Sequence, residues 1–372
     1  MWNRSVSAAL RTPRRPSSNH PLTRTYAARA LTKVHNPTKM ARGKKKPTIP
    51  ESVLHLPPPT SGTSTPIVDT HTHLLSTFSA YKSKWPAGAY ETVFDFNAWR
   101  ELADSALTEE GRRELWGGVE YWFVMGAYRR TNVCIREFQT DLAILLFGHP
   151  RVVPWSNVGT KRKSTPTQSS GTCAIEAMAH PRCVGWGEIG LDYHYDNSPR
   201  EEQQAVFTRQ LRQAVRLNKP LTIHTREAEE DTERILKAEV PKEHKIHIHC
   251  YTDSPELAQR LLAHFPNLYI GITGVITYSS NQNTPALVRQ LTSSSTSVTI
   301  PPRLILETDA PYMVPSNLYA SLPTFKGSRL PLCHTGMIPW TAEFVADLAG
   351  EGWDAERVLV MGRENARRMY GV

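Results

Sequence analysis

With 372 residues, of which 40% are hydrophobic, the chain can form the core of one large domain or of two ordinary ones. Its longest apolar runs, such as residues 142–147, are too short to span a membrane. The net charge is +9, but residues 1–50 carry +12 and residues 51–372 therefore −3, which excludes a strongly basic nucleic-acid-binding domain. The five cysteines, an odd number without a C-x-x-C pair, argue against a zinc ribbon or disulfide framework and indicate free thiols in a reducing compartment.

The first 66 residues show no core-forming pattern. Residues 1–50 are rich in Arg and Ser and contain no acid, which is typical of a mitochondrial transit peptide. A basic tail without an address is the alternative, and a start at Met40 would yield a cytoplasmic or nuclear form. Residues 51–66 are interpreted as a Pro/Ser/Thr linker. One domain is predicted over residues 67–372.

Short apolar segments alternate with helical ones along this domain, which is the pattern of a parallel sheet. Seven strands are predicted, at residues 67–71 and 120–125 and within "CVGWGEI", "PLTIH", "KIHIH", "LYIGI" and "RLILET". Helices with Ser198 and Ser254 as N-caps are predicted to cover the sheet. The fold class is therefore α/β, a TIM-like (β/α)8 barrel. No strand is evident between Leu74 and Glu120, and residues 127–172 are irregular, so the barrel is predicted to be distorted or incomplete around its second and third β/α units.

Ionisable residues stand at the C-terminal ends of five of these strands, where barrel enzymes place their chemistry. A single histidine there is more often a hydrogen-bonded core residue, and a single aspartate a turn residue. Side chains at i and i+2 of a strand point the same way, so His71 and His73 can bind one ion together. Six ionisable side chains at one edge of the sheet are costly to desolvate unless they bind a metal or one another. The six residues are His71, His73, Glu188, His224, His249 and Asp309.

Two further residues share strand faces with this set. Arg226 follows His224 by two positions, and its guanidinium group is suited to the oxygens of an anionic substrate. A surface ion pair with Glu227 or Glu230 is the alternative. His247 lies one layer deeper than the ligand set and is interpreted as structural.

The order of these motifs resembles a known family. "VDTHTHL", "GEIGLDYHYD", "PLTIHTREAEEDTERIL", "IHCYTDSPE", "YIGITGVITY" and "ILETDAPYMVP" are similar to the successive motifs of the TatD-type metal-dependent deoxyribonucleases of the amidohydrolase superfamily. The resemblance implies that DNA is the substrate, that nucleotides are removed from a 3′ end with Mg²⁺, and that the six residues above are the metal ligands. It also implies that Glu188 is a catalytic carboxylate that bridges two ions, where many other amidohydrolases use a lysine carbamate. We expect a monomer that does not enter a membrane.

Chemical reasoning leads to two divalent ions as well. Ions roughly 3.5 to 4 Å apart can bind both the attacking and the leaving oxygen of a phosphodiester and lower the pKa of a bound water. His71, His73 and Asp309 are predicted to hold one ion, and His224 and His249 the other. Asp309 is predicted to act as general base toward the attacking water. The mixed imidazole and carboxylate set permits Mg²⁺, Mn²⁺ or Zn²⁺.

Substrate contacts are predicted at Tyr193, Arg226 and His334, with Arg329 as a further loop candidate near His334. Asp253 stands where members of the family usually carry a glycine. Residues 75–180 depart most from the family pattern and are interpreted as an insertion or as a gene-model artefact. Two other functions stay open on the sequence alone: hydrolysis of another ester, such as an aminoacyl-tRNA ester, and a non-catalytic scaffold that binds proteins.

Overall fold

Six parallel strands build the central sheet of the computed structural model, which describes residues 48–55, 67–91, 123–125, 178, 183–293, 301–325 and 327–371. The strands follow one another in the same order in the chain and in the sheet, as β1 (Phe123–Met125), β2 (Cys183–Asp192), β3 (Leu221–Arg226), β4 (Ile246–Ile248), β5 (Leu268–Ile272) and β6 (Leu304–Leu306). Every neighbouring pair is parallel. The C-terminal ends of all six strands therefore lie at one edge.

Helices separate the strands from β2 onward, as the sequence predicts. In chain order after β2 they are α2 (Arg200–Arg216), α3 (Glu229–Glu239), α4 (Pro255–His264) and α5 (Asn283–Ser293). α1 (Leu74–Lys84) precedes the sheet, and α6 (Ile338–Ala349) and α7 (Ala355–Tyr370) follow β6. Short 3-10 helices lie at Glu51–His55, Gly274–Thr277, Ser316–Ser321, Pro323–Phe325 and Thr335–Met337. The alternation confirms the predicted α/β class.

The strands are apolar on both faces because the sheet is covered by helices. All five residues of β5 and all three of β6 are buried. Phe207 and Leu211 of α2 and Leu257 and Leu261 of α4 are buried in the same core. Each large side chain of this kind contributes about 1.5 to 3 kcal/mol when it is fully buried. This core fixes the relative positions of the strand ends that carry the polar residues.

The two predicted serine caps have different outcomes. Ser254 caps α4 as expected, because its Oγ accepts a hydrogen bond from the backbone N–H of Leu257 while Pro255 occupies the first turn. α2 begins at Arg200, its N-cap is Pro199, and no side chain caps it. The prediction that Ser198 caps this helix is wrong, because Pro199 occupies the N-cap position and not the first position of the helix.

The first predicted strand, residues 67–71, runs beside β6 without forming a regular strand. The backbone N–H of Thr70 donates to the carbonyl of Leu306, and that of Asp309 donates to the carbonyl of His71, at 3.2 and 2.9 Å. The segment thus occupies the position of a further strand next to β6. Within the described residues β1 forms the other edge of the sheet, so the barrel does not close there, in agreement with the predicted incomplete barrel.

Residues 48–55 pack against the domain, although residues 51–66 are predicted to be a linker. Val53 and Leu54 are buried, and Glu51 Oε1 accepts a hydrogen bond of 2.6 Å from the hydroxyl of Tyr81 in α1. The structure thus differs from the linker prediction over Glu51–His55, because these side chains have apolar and hydrogen-bonding partners. Residues 1–47 of the predicted transit peptide, residues 56–66 of the linker and the irregular segment 127–172 lie outside the described residues. In the described part of the chain, no helix is both long and apolar enough to cross a membrane.

Candidate metal centre

The C-terminal edge of the sheet brings all six predicted ligands together. Glu188 lies in β2 and His224 in β3, while His249 directly follows β4 and Asp309 follows β6. The hydrogen bonds of residues 70–73 to β6 and the turn after it place the first two histidines beside Asp309. Ligand atoms lie within 4.8 Å of one another in three groups, which are His71 with His73 and Glu188, His71 with His249 and Asp309, and Glu188 with His224 and His249.

Glu188 forms a tight triangle with two histidines. Its Oε1 lies 2.9 Å from His224 Nδ1 and 2.9 Å from His249 Nε2, and the two nitrogens lie 3.0 Å apart. An octahedral ion with bonds of about 2.1 Å places neighbouring ligand atoms about 3 Å apart. The triangle therefore fits one face of such a coordination shell.

A second group lies on the other side of Glu188. Asp309 Oδ1 is 3.1 Å from His73 Nε2 and 3.6 Å from His71 Nε2, and Glu188 Oε2 is 3.7 Å from that same His71 nitrogen. His71 Nε2 is buried and has no hydrogen-bond partner among the described residues. A buried imidazole nitrogen between two carboxylates fits a cation ligand, because an unpaired polar atom is costly in the interior. Glu188 presents one oxygen to each group, as a bridging carboxylate requires.

The electrostatics favour anionic carboxylates and bound cations. Burial alone would raise the pKa of Glu188, but His249 and His224 lower it well below its ordinary value. Burial, reinforced by His249, lowers the pKa of His71 well below its ordinary value, so this ring is neutral. Burial opposes the charge on His224, yet the carboxylates of Asp192 and Glu188, 3.7 and 2.9 Å from its ring nitrogens, raise its pKa to about 10. Since ligands must be deprotonated, metal binding here would release protons.

Asp69 joins the histidine segment to the two loops that face it. Its carboxylate accepts hydrogen bonds from the backbone N–H and the hydroxyl of Thr308 at 3.0 and 2.7 Å and from the hydroxyl of Thr335 at 2.8 Å. Burial raises the pKa of Asp69 to about 7, although these donors act against the shift. The sequence analysis missed this role. The sequence feature that could have indicated this role is the alternation that places Asp69, His71 and His73 on one face of an extended segment.

Asp192 is a second carboxylate that the sequence analysis missed. It lies on the same strand face as Glu188, and its Oδ2 is 3.7 Å from His224 Nε2. Burial would raise its pKa, but the nearby imidazole of His224 and the hydrogen bond from the backbone N–H of Tyr195 outweigh burial and lower the pKa to about 2. Asp192 therefore orients the imidazole of His224 from the side opposite Glu188. Its signal was the spacing of four residues after Glu188 in one strand.

A buried polar layer lies beneath the cluster, as predicted for His247. His247 Nε2 lies 3.0 Å from Glu307 Oε2, and its Nδ1 lies 2.7 Å from the hydroxyl of Tyr370. The same hydroxyl is 2.8 Å from Thr222 Oγ1. Glu307 also accepts a hydrogen bond from the backbone N–H of Cys250, directly after the ligand His249. Burial raises the pKa of Glu307 to about 8. This layer thus connects β3, β4, the end of β6 and α7 to the backbone next to His249.

The predicted substrate residues occupy different places. Arg226 ends β3, and its guanidinium carbon lies 5.0 Å from the ring centre of Tyr195. Among the described residues no ion pair joins Arg226 to Glu227 or Glu230, and Glu227 contacts His194 at 2.6 Å.

Tyr193 and His334 are more buried than side chains that contact a substrate at the protein surface. Tyr193 is buried and its hydroxyl donates to Asp231 in α3 at 2.8 Å. His334 is buried in the loop before α6, where its Nδ1 accepts a hydrogen bond from the backbone N–H of Gly336. Asp253 accepts a hydrogen bond of 3.0 Å from Thr225 Oγ1 in β3 and thus supports the loop after that strand. Roles of these side chains toward a substrate stay predictions.

Known proteins resemble the chain in sequence. It is 31% identical over 319 residues to the human "3'-5' RNA nuclease TATDN2", a match that covers 82% of this chain and 35% of that protein. It is 31% identical over 221 residues to the "3'-5' ssDNA/RNA exonuclease TatD" of Escherichia coli K12, covering 59% of this chain and 78% of that protein. A Bacillus subtilis protein described as the metal-dependent hydrolase YabD is 31% identical, with 50% of this chain and 64% of that protein covered. The chain spans about a third of the human relative and less than two thirds of the Bacillus one.

Solved structures share the fold. A hydrolase of the TatD family from Entamoeba histolytica aligns with a TM-score of 0.56 at 16% identity, over 82% of this chain and 98% of that one. The E. coli TatD homologue YJJV aligns with a TM-score of 0.52 at 19% identity, over 83% and 99%. These likenesses confirm the predicted TIM-like α/β fold. The family described as TatD related DNase matches residues 68–371. The chain therefore belongs to the TatD related DNase family.

Proposed function

We propose that this chain is a metal-dependent nuclease that hydrolyses phosphodiester bonds of DNA from the 3′ end. The observation that carries the proposal is Glu188, whose two carboxylate oxygens face two separate groups of ligand atoms at one edge of the sheet. Two relatives, named as an RNA nuclease and an ssDNA/RNA exonuclease, support a nucleic-acid substrate and the 3′-5′ direction.

Two divalent ions, Mg²⁺, Mn²⁺ or Zn²⁺, are the proposed cofactors. The proposed ligands are His71, His73 and Asp309 for one ion, His224 and His249 for the other, and Glu188 for both. When bound, such ions polarise phosphodiester oxygens and make water acidic enough to attack near neutral pH. The protein's part is to hold the neutral imidazoles and the carboxylates in place before the substrate arrives.

Asp309 is the proposed general base. Its backbone N–H donates to the carbonyl of His71, and its own carbonyl accepts from the N–H of Tyr312, so the residue is fixed from both sides. His73 Nε2 holds one carboxylate oxygen at 3.1 Å, and 12% of the side chain stays exposed. A carboxylate held in this way at the mouth of the site can accept the proton of an attacking water.

Arg226 is the proposed phosphate contact. It leaves β3 two residues after His224, so its guanidinium group lies at the same strand edge as the ligands. Guanidinium groups bind phosphate oxygens in pairs of hydrogen bonds. Arg226 would therefore orient the scissile phosphate, and we propose that a monomer suffices for this arrangement.

The test is cleavage of a 5′-labelled single-stranded DNA by the full-length protein with Mg²⁺ or Mn²⁺. The wild type should produce a ladder that shortens from the 3′ end, and a blocked 3′ end should prevent it. His249→Ala and Asp309→Asn should abolish cleavage, whereas His264→Ala, at the end of α4, should cleave like the wild type. Unchanged cleavage by His249→Ala, or internal fragments from the wild type, would contradict the proposal.

The comparisons do not favour the two other functions that the sequence leaves open. A substrate panel with DNA, RNA and an aminoacyl-tRNA ester, run under the same metal conditions, separates them from the proposal. Cleavage of the aminoacyl ester alone would identify a different esterase. A wild-type protein that holds metal but hydrolyses none of these substrates would point to a scaffold.

A further inference from the structure

Two tyrosine rings stand exposed next to the proposed metal centre. Among the described residues, the strongly exposed large hydrophobic side chains are Tyr195 at 58%, Tyr312 at 59% and Val360 at 44%. Val360 lies on α7, whereas both tyrosines lie in the loops that follow ligand-bearing strands. An exposed aromatic ring gains little in the free protein, so its position beside a reactive site calls for an explanation.

Tyr195 stands on the side of the cluster formed by β2 and β3. Its backbone N–H donates to Asp192 Oδ1 at 2.9 Å, and the other oxygen of that carboxylate is 3.7 Å from His224 Nε2. Arg226 places its guanidinium carbon 5.0 Å from the ring centre, within the range of a cation–π contact. One carboxylate thus lies between the backbone of Tyr195 and the side chain of a proposed metal ligand.

Tyr312 stands on the side formed by β6 and the histidine segment. Its backbone N–H donates to the carbonyl of Asp309 at 3.0 Å. Its ring centre lies 6.4 Å from that of His73, in an edge-to-face arrangement. The two rings therefore flank the cluster from the elements that carry opposite parts of the ligand set.

We propose that Tyr195 and Tyr312 are stacking surfaces for unpaired bases next to the scissile phosphate. The proposal rests on the proposed function and names the side chains that would hold an unpaired strand at the site. Every base has a flat face that stacks on an aromatic ring, so such contacts hold a strand without reading its sequence. Bases of a duplex are stacked on one another and paired, and are not open to both rings.

The charge of the chain makes stacking more important here. Residues 51–372 carry a net charge of −3, so this part of the chain has no excess of cations with which to bind nucleic acids through their phosphates. Arg226 places one cation against Tyr195, where it can contact a phosphate while the ring contacts a base. At this site, affinity for the strand would then come from the bases as well as from the metal ions and the guanidinium group of Arg226.

The experiment uses the full-length protein and a single-stranded oligonucleotide whose last bases are 2-aminopurine, the fluorescence of which is quenched on stacking. Tyr195→Leu and Tyr312→Leu should each raise KM on the order of tenfold, leave kcat within about a factor of two, and reduce the quenching. Tyr195→Phe and Tyr312→Phe should restore wild-type behaviour, because the ring is kept. Val360→Ala serves as the control for loss of an exposed apolar side chain.

Abasic substrates provide the decisive comparison. Removal of the terminal bases should raise the KM of the wild type to the level of the leucine variants and should have little further effect on those variants. Two results would overturn the stacking proposal without affecting the cleavage activity. One is the same KM for wild type and leucine variants on the normal strand. The other is the same increase in KM for wild type and leucine variants when the terminal bases are removed. Binding and quenching without cleavage would overturn the proposed nuclease function instead. A wild type that neither binds nor cleaves the strand would overturn both.

Discussion

At the residue scale, the neighbours of each buried carboxylate decide whether it carries charge. Glu188 lies among imidazoles, and its pKa stays well below the ordinary value despite burial. Asp253 has only a hydroxyl and a backbone N–H as donors, and burial raises its pKa to about 6. Glu188 is therefore an anion available to cations at neutral pH, whereas the anion of Asp253 is a cost to the folded state.

Replacement of Glu188 tests its position between the two ligand groups. Glu188→Gln keeps the shape but removes the charge and one of the two acceptor oxygens, so we expect affinity for both ions to fall. Even residues that only orient metal ligands change affinity roughly 10- to 100-fold, and a bridging ligand should cost at least as much. Calorimetric titration with Mn²⁺ measures this, with the exposed Glu227→Gln as the matched control. Two ions bound with wild-type affinity would contradict the bridging role.

Asp253 predicts a pH dependence of stability with a defined sign. Its folded-state pKa of about 6 lies above the ordinary 3.8, so folding favours the protonated form. The resulting stabilisation is complete below about pH 4 and is lost as the pH rises through 6. Asparagine does not titrate, so Asp253→Asn should gain about 2 kcal/mol relative to the wild type between pH 4 and pH 7. Urea unfolding at both pH values tests this, with the exposed Asp196→Asn as control. A constant difference between variant and wild type would be the contrary result.

At the element scale, two similar helix starts have different local structures. Ser254 and Ser198 both precede a proline and acidic residues, yet only Ser254 accepts a hydrogen bond from its helix. Its Oγ also donates to Glu229 Oε2 at 2.6 Å, and Glu229 is the first residue of α3. Ser254 therefore joins two neighbouring helices, whereas Ser198 stays exposed before α2.

This difference predicts unequal costs for the same substitution. Ser254→Ala removes an N-cap and a bond to Glu229, and should lower the free energy of unfolding by about 1 to 2 kcal/mol. Ser198→Ala removes no such bond and should stay within about 0.5 kcal/mol of the wild type. Urea unfolding of the two variants at one pH gives both values. Equal losses would show that the cap of α4 does not act as described.

The strands and the cluster of candidate ligands could be predicted from sequence because both depend on local pattern. Apolar runs identify β2 to β6, and a polar residue within or shortly after such a run marks the edge of the sheet where the cluster lies, as at Glu188, His224 and Asp309. The supporting network could not be predicted in this way. Asp69 meets Thr335 across 266 positions of the chain, and such pairs exist only once the strands are packed. The exposure of Tyr195 likewise depends on the conformation of its loop, because an aromatic residue in this sequence context could equally be buried.

At the scale of the whole molecule, distant parts of the chain meet behind the site. Asp69, near the start of the domain, accepts hydrogen bonds from the loop after β6 and from the loop before α6. The last residue of α7, Tyr370, reaches back to Thr222 in β3 and His247 in β4. The candidate metal centre is thus supported by contacts from both ends of the described fold, which should make metal affinity and stability depend on residues outside the proposed ligand set.

Tyr370 offers the sharpest test of this dependence. Tyr370→Phe keeps the ring but leaves the buried His247 Nδ1 and Thr222 Oγ1 without their shared partner, which should cost about 1 to 3 kcal/mol of stability. His247 and Glu307 hold the backbone at Cys250 beside the ligand His249, so affinity for Mn²⁺ should fall too, though by less than the roughly 10- to 100-fold of groups that contact ligands directly. Tyr269→Phe, in the same apolar cluster, is the control. A stability loss with unchanged Mn²⁺ affinity would show that the buried layer supports the fold but not the metal centre, because only a shifted ligand can alter binding.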